Sequence, residues 1–442
     1  MGITIKRKLW AGILLGVFIG FCGANEGMGL EELRDLALSH ARGLTRLNLA
    51  VENAMLEEKT RQFGSLPSLS LGAQGSMNLG GETTMAERFA AGASFGVSQT
   101  LWDRGKNGVL KAINGTSLEI SRQDALAEYY AVLAGTDAAY YGVLEAAASL
   151  ETADTALEAA DLAFSMAELR LENGMISRGD YLQALAEREA KGTARNQARR
   201  DLTLAEARLK NLTGLGEIPP LAPVDFAAYD GVIQRLWGLS EPAIDGLYLS
   251  LKAAALANNP SLVKAELQNR QAEQAVTLAK RDYLPSLSAS VSAGLNYSPL
   301  QGFETSPGRF TLSGSIPLDF WVTGNNVEKK KIAQTQAGLA YLNAGAELDL
   351  SIQTALLDWI SQAGSVISSR RADEYARQHY EYVLELYRLS QSSLSALSDA
   401  AALAGSSRIQ RIKAQYGFLS CLSQLRSLGC FNSEEELLGY LP

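Results

Sequence analysis

The chain has 442 residues, of which two are histidine (His40 and His379) and three are cysteine. Neither a zinc-type ligand spacing nor a CxxC pair can be assembled from so few. GxxxxGK[ST] does not occur, so the chain has no P-loop with which to drive work by nucleotide hydrolysis. GxSxG, HExxH and the protein-kinase motifs are missing as well. A strongly basic balance is also lacking: the net charge is −8, against a nucleic-acid partner, which calls for a basic face. Apolar runs of 18 residues are absent beyond the N-terminus, which excludes a multi-span helical membrane protein. These absences leave no enzyme class, cofactor or metal in view. His40 and His379 read as ordinary residues of solvated or packed helix faces.

What is present begins with an export signal. Lys6, Arg7 and Lys8 precede the apolar stretch from Leu9 to Phe21, too short for a comfortable span and suited to a secretory core. Cleavage after Ala24 gives residues 1–24 as a signal peptide. Lipidation of Cys22 is the competing reading, with Phe21 a poor residue for a lipobox. Cys421 and Cys430 then remain, either as ordinary buried thiols or as an optional disulfide.

The rest of the chain reads as two copies of one plan. Ala37–Leu44 aligns with Ala255–Leu262, and Leu66-Pro67-Ser68-Leu69-Ser70 with Leu284-Pro285-Ser286-Leu287-Ser288, both at an offset of about 218. Leu209-Lys210-Asn211-Leu212 aligns with Leu425-Arg426-Ser427-Leu428 at about 216. Repeat 1 covers residues 25–213, a linker 214–246, repeat 2 residues 247–430 and a tail 431–442. Pro219, Pro220, Pro223 and Pro242 mark the linker, which is expected to wrap the outside of the molecule.

Each copy predicts a helix, two strands, a long helix and a second helix. In the first, an unbroken helix runs from Leu30 to about Phe63 and ends before Pro67. Period-two alternation then marks strands at about 68–79 and 89–102, with Gly80-Gly81-Glu82-Thr83-Thr84 turning between them. The second copy places strands at about 286–297 and 310–319, separated by a loop from Ser298 to Arg309. Leu69, Leu71, Phe95 and Val97 alternate with Ser68, Ser70, Ser94 and Ser98. Leu287, Val291 and Leu295 alternate with Ser288, Ser290 and Ser292. Strands of bilayer length with one apolar face suit a water-filled barrel, and Trp102, Tyr283, Tyr297 and Trp321 fall where aromatic girdles occur. Four strands cannot close a barrel, because open edges are forbidden in lipid. Pooling strands is therefore required, and a homotrimer would give twelve, an allowed even number.

Proline is absent from residues 105–172 and from 324–389, which allows helices of roughly 100 Å. Leu126, Leu133 and Tyr140 at heptad spacing, with Tyr130 and Leu144 between, give these helices a coiled-coil character. Helices this long must stand out from the barrel. Asn173-Gly174 ends the first long helix, and Ser177 with Asp180 forms a capping box for the next, so a tight hairpin lies far from the strands. The fold class is therefore an α+β membrane protein: a coiled-coil-like helical barrel joined to a β-barrel of four strands per subunit, duplicated internally and trimeric.

Taken in order and in duplicate, these marks resemble the TolC family of outer-membrane efflux and secretion channels. The residues carrying the likeness are Leu66-Pro67-Ser68-Leu69, Leu284-Pro285-Ser286-Leu287, Ser315-Ile316-Pro317-Leu318, Asn173 to Leu182 and Leu209-Lys210-Asn211-Leu212-Thr213-Gly214. The resemblance implies a trimeric channel in the outer membrane, surrounded by its lipid, with a periplasmic helical extension. It implies docking to a periplasmic adaptor protein and an inner-membrane transporter, and passive conduction of cargo in a tripartite efflux or type I secretion system. On that reading Gly174, Ser177, Asp180 and Leu182 form the adaptor-docking tip. Ser395 and Asp399 fall in the hairpin where the family carries its periplasmic gate. The second hairpin departs from the pattern, with Ser392 where Gly174 would project, and the first copy has Gln99-Thr100-Leu101 where the second has Ile316-Pro317-Leu318. The rival readings are a non-conducting coiled-coil scaffold or lipid-anchored adhesin, and an adaptor subunit, neither of which needs four alternating strands.

Overall fold

The computed structural model describes residues 27–64, 66–77, 89–298, 302–389 and 391–441. The signal segment with Cys22, the turn expected at 80–84 and the last two residues of the first expected strand lie outside them. The first copy consists of α1 (Leu30–His40), α2 (Arg42–Phe63), β1 (Ser68–Met77), β2 (Phe89–Trp102), α3 (Lys106–Glu172) and α4 (Arg178–Thr213). A short helix, α5 (Asp230–Trp237), lies between the copies. The second copy consists of α6 (Glu241–Asn258), α7 (Pro260–Lys280), β3 (Ser286–Ser298), β4 (Gly302–Ser315), α8 (Phe320–Arg388) and α9 (Leu394–Gly429), followed by α10 (Glu434–Leu438). No helix of the described residues is long and apolar enough to cross a membrane.

The helix expected to run unbroken from Leu30 is interrupted at Ala41, which takes φ −63° and ψ 95°. The second copy breaks at Asn259, with φ −67° and ψ 118°, and Ala41 and Asn259 correspond under the 218-residue offset. At Asn259 the cause is local. Pro260 disfavours helical geometry in the residue before it, and the Asn259 carboxamide accepts from the Ser261 and Leu262 amides to start α7. Ala41 has no such side chain, and its break follows from packing, which turns α1 inward to bury Leu33 and Ala37 completely.

The four strands form one antiparallel sheet in the order β1-β2-β3-β4, so the sheet joins the two copies through β2 and β3. Leu69 pairs with Val97 and Leu71 with Phe95. Val97 in turn pairs with Val291, and Val291 with Phe310. Directly paired residues share a face, so these rows form one continuous apolar face. The opposite rows are Ser68, Ser98, Ser290 and Thr311, and Ser70, Gly96, Ser292 and Arg309. Leu71 is 83% exposed and Phe303 73%, so the apolar face is uncovered within the protomer.

The fourth strand differs from the expectation at both ends. It starts at Gly302, inside the expected loop, and stops at Ser315 rather than 319. Ser292 pairs with Arg309 but Gly294 with Ser306, so Pro307 and Gly308 together oppose Ala293 in a bulge. The bulge changes which parity faces the polar side: Glu304 and Ser306 before it, Arg309, Thr311 and Ser313 after it. An unbroken period-two pattern could not extend through that switch. Pro307 is tolerated because it sits at a bulge on an edge strand, where its missing N–H costs no ladder bond.

The long helices contain 67 residues in α3 and 69 in α8, about 100 Å each at 1.5 Å per residue. Leu133 and Tyr140 of the expected seam are buried, whereas Leu126 remains exposed. The main core lies midway along the long helices, where Trp359 and Phe418 stack with centroids 5.8 Å apart, among Leu209, Ile352, Leu356 and Leu422. The segment between the copies closes over this core. Met28 and Leu221 form a parallel bridge, α5 buries Val232, Ile233 and Leu236, and Trp237 packs against Gly364, where a Cβ would lie 2.2 Å from the ring. Helix α6 begins at Glu241, within the expected linker, with Pro242 in its first turn.

Each copy ties its first helix to its long helix with an ion pair. Arg34 grips Asp137 with two hydrogen bonds of 2.6 and 2.7 Å, and Ser423 also donates to that carboxylate at 2.5 Å. In the second copy Lys252 reaches Asp349 at 2.8 Å, and Lys252 lies at the offset from Arg34 that the repeat dictates. The first pair is nearly inaccessible, at 4% and 1% side-chain exposure, whereas the second is partly solvated. Cys421 and Cys430 are both free and half-buried, so the disulfide alternative is not realised. Cys430 takes the left-handed conformation at the end of α9 (φ 54°), as Gly214 does at the end of α4 (φ 72°).

Candidate functional site

The molecule has two ends at which a duct could open, the sheet and the helical tips. At the sheet, Ser68, Trp102, Ser286 and Ser315 lie at the end nearer the helices, and Met77, Phe89, Tyr297 and Phe303 at the other. Aromatics mark both ends. Trp102, Trp321 and Phe320 are exposed on the helix side, and Tyr297 and Phe303 pack with centroids 4.8 Å apart on the far side. An apolar face edged by aromatics, backed by a hydroxyl-rich face, is the pattern of an outer-membrane barrel wall. Where the sheet meets the helices, Arg104 and Gly105 both adopt left-handed backbone, with φ of 69° and 67°. Arg104 donates to the Asp282 carbonyl at 3.3 Å, and Lys106 forms an ion pair with the Asp282 carboxylate. The strand-to-helix turn of the first copy is thereby fastened to the helix-to-strand turn of the second.

At the far end, Gly174 has φ 72° with open space around it, which explains why glycine ends this helix. Ser177 accepts from the Asp180 amide while Asp180 accepts from the Ser177 amide, so the capping box is complete. Leu182 is exposed, as is Met175, which the sequence reading did not single out. In the second hairpin Gln391 N–H donates to Leu386, as Met175 N–H donates to Arg170, an offset of 216. Ser392 therefore stands opposite Ile176 rather than opposite Gly174, and residue 390, the counterpart of Gly174, lies outside the described residues. Ser395 is exposed and hydrogen-bonds Ser393 at 2.9 Å. Asp399 is exposed too, close enough to Glu187 to act on it electrostatically.

The two hairpins are packed against each other at these tips. Ala167, Ala184, Val383, Tyr387, Leu397 and Ala400 form a small second core. Arg170 crosses between hairpins, donating to the Tyr387 carbonyl at 2.8 Å and lying 4.2 Å from its ring centroid. Above this seal a cleft of about 640 Å³ runs between the hairpins. Its charged lining includes Glu187, Lys191, Asp373, Arg377, Glu381 and Arg408. Sequence reasoning missed Arg170, Glu187 and Tyr387, because their partners lie about two hundred residues away and no local pattern encodes the pairing.

Ser398 donates to Glu187 across the hairpins. Burial raises the Glu187 carboxyl above its usual value of 4.5, Lys191 opposes the shift and Asp399 adds to it. A carboxyl whose packed-state pKa is raised favours the packed state most below its unpacked pKa, and loses that preference as pH rises through the raised value. The hairpin contact should therefore loosen on going from acid to neutral pH. Glu187→Gln should flatten this dependence and raise resistance of the tip to limited proteolysis at neutral pH. An unchanged pH profile of proteolysis would show that Glu187 does not couple the hairpins.

These features define a channel-type protein of the outer membrane: a wall of amphipathic strands carried on a stalk of long helices, with, among the described residues, no group of metal ligands. The chain belongs to the outer membrane efflux protein family, whose model matches residues 33–215 and 251–429, one match for each copy. Solved structures share the fold. CusC, described as forming a transmembrane channel, superposes with a TM-score of 0.76 at 17% identity, covering 92% of this chain and 95% of its own. The Campylobacter jejuni CmeC outer membrane channel gives 0.76 at 15% identity, covering 96% and 94%. The Vibrio cholerae outer membrane protein VceC gives 0.72 at 15%, covering 90% and 96%. The protein is thus an efflux-family outer-membrane channel subunit and not an enzyme.

Proposed function

We propose that three copies of this chain pool their strands into a twelve-stranded barrel and conduct cargo passively from the periplasm to the exterior. The observation that carries this reading is the sheet itself. It has one continuous apolar face and one continuous polar face, and its two edge strands, β1 and β4, lack partners among the described residues of the protomer. In hydrocarbon such edges must be paired, and a second copy supplies the missing partner at each. The long helices then extend into the periplasm as a tube, closed at the hairpin tips by the contacts of Arg170 and Tyr387. Energy comes from an inner-membrane transporter reached through a periplasmic adaptor, in an efflux or type I secretion assembly.

Gly174, Ser177, Asp180 and Leu182 form the adaptor-docking tip in this proposal, because the turn is exposed, rigidly capped and unobstructed. Ser395 and Asp399 belong to the gate region, where opening requires the two hairpins to separate. Lipidation of Cys22 would add an anchor to the barrel. Gly174→Leu tests the docking role. A side chain at φ 72° is strained by about 1–2 kcal/mol and projects into the docking surface. Export of a fluorescent efflux substrate should fall to a small fraction of wild type while the trimer persists in detergent. Full export by this variant would remove Gly174 from the docking surface.

A further inference from the structure

The polar face of the sheet is almost free of charge. Among the described strand residues, β1, β2 and β3 contain none of Asp, Glu, Lys or Arg, and β4 contains two charged residues, Glu304 and Arg309. Both lie on the polar face, since Glu304 pairs with Asn296 and Arg309 with Ser292. The Pro307-Gly308 bulge makes this possible. Without it, residues 304 and 309, of opposite parity, would stand on opposite faces and one charge would meet lipid. Both side chains are exposed, and neither forms an ion pair with another described residue.

We infer that Glu304 and Arg309 set the charge selectivity of the exit, as two opposed rings in an otherwise hydroxyl-lined lumen. The inference rests on the trimeric-barrel reading, which repeats each residue three times around one axis. Ser292 and Asn296, the partners of the two charges, are four residues apart, so the rings are separated by about 13 Å along the strand. Arg309 is six residues from the helix-side end of β4, roughly 20 Å, and Glu304 lies nearer the outer mouth. Outgoing cargo therefore meets the basic ring first and the acidic ring second. The surrounding Ser and Thr side chains offer dipoles but no net charge, so the rings dominate the local potential. Carboxylate or phosphate groups on cargo are favoured at Arg309, and ammonium groups at Glu304.

Reversal potentials across planar bilayers containing the full-length protein, in a potassium chloride gradient at low ionic strength, test this directly. Low salt lengthens the range over which the rings act. Arg309→Ser should raise the potassium-to-chloride permeability ratio roughly threefold, and Glu304→Gln should lower it by a similar factor. Arg309→Lys, which keeps the charge, should retain the wild-type ratio. Conducting variants whose ratios match wild type, or that shift in the same direction, would overturn the assignment of these rings. A trimer that forms no pore even when Arg170→Ala removes the tip contact would instead overturn the channel reading on which the inference stands.

Discussion

Val291→Arg is expected to remove the protein from the outer membrane, while Ser290→Arg, one residue away, leaves it there. Val291 sits mid-strand on the apolar face, paired on one side with Val97 and on the other with Phe310. A cationic side chain at the bilayer midplane costs about 2–4 kcal/mol, and a trimer incurs it three times. Ser290 pairs with Ser98 and Thr311 on the opposite face, where an arginine meets water. The measurement is the fraction of protein resisting urea extraction from isolated outer membranes. Equal behaviour of the two variants would mean that neither face is a lipid face.

Asp137→Ala should be the most destabilising single change in the helical region. Its carboxylate accepts two bonds from Arg34 and one from Ser423 at a site sealed from water. Removing it leaves the buried guanidinium with only the more exposed Glu31 and Glu434 as partners, at a cost of about 3–5 kcal/mol. Replacing both partners with apolar residues, as in Arg34→Met with Asp137→Leu, should recover much of that loss, because no buried charge then remains. The corresponding change in the second copy, Asp349→Ala, should have a much smaller effect, since Lys252 stays in reach of solvent. Denaturant midpoints of the three variants separate these outcomes. A small loss for Asp137→Ala would show that water reaches the site.

The extent to which this architecture could be read from the residues follows from the range of the interactions. Period-two alternation in Ser68–Met77 and Phe89–Trp102, the capping box of Ser177 and Asp180, and the proline-free stretches act within a few residues, and they placed the elements. The duplication was visible because both copies keep Leu-Pro-Ser-Leu ahead of a strand. Features made by distant partners were not visible. Ala41 breaks its helix with no local signal, whereas Asn259-Pro260 carried one that the repeat could have transferred to it. The bulge at Pro307 hid the first half of β4, because an extra residue inverts the alternation on which the strand was recognised. The grip of Arg34 on Asp137 and of Arg170 on Tyr387 depends on helices that meet only after folding. The family resemblance supplied the trimer and the docking tip as expectations, and Glu304 and Arg309 emerged only from the register of the sheet.

The pooling of strands between chains is the central claim, and the mass of the protein extracted from the outer-membrane fraction tests it most directly. Light scattering corrected for bound detergent should give three chain masses in a single species. A monodisperse single chain, carrying two unpaired strand edges, would contradict the barrel and the duct built upon it.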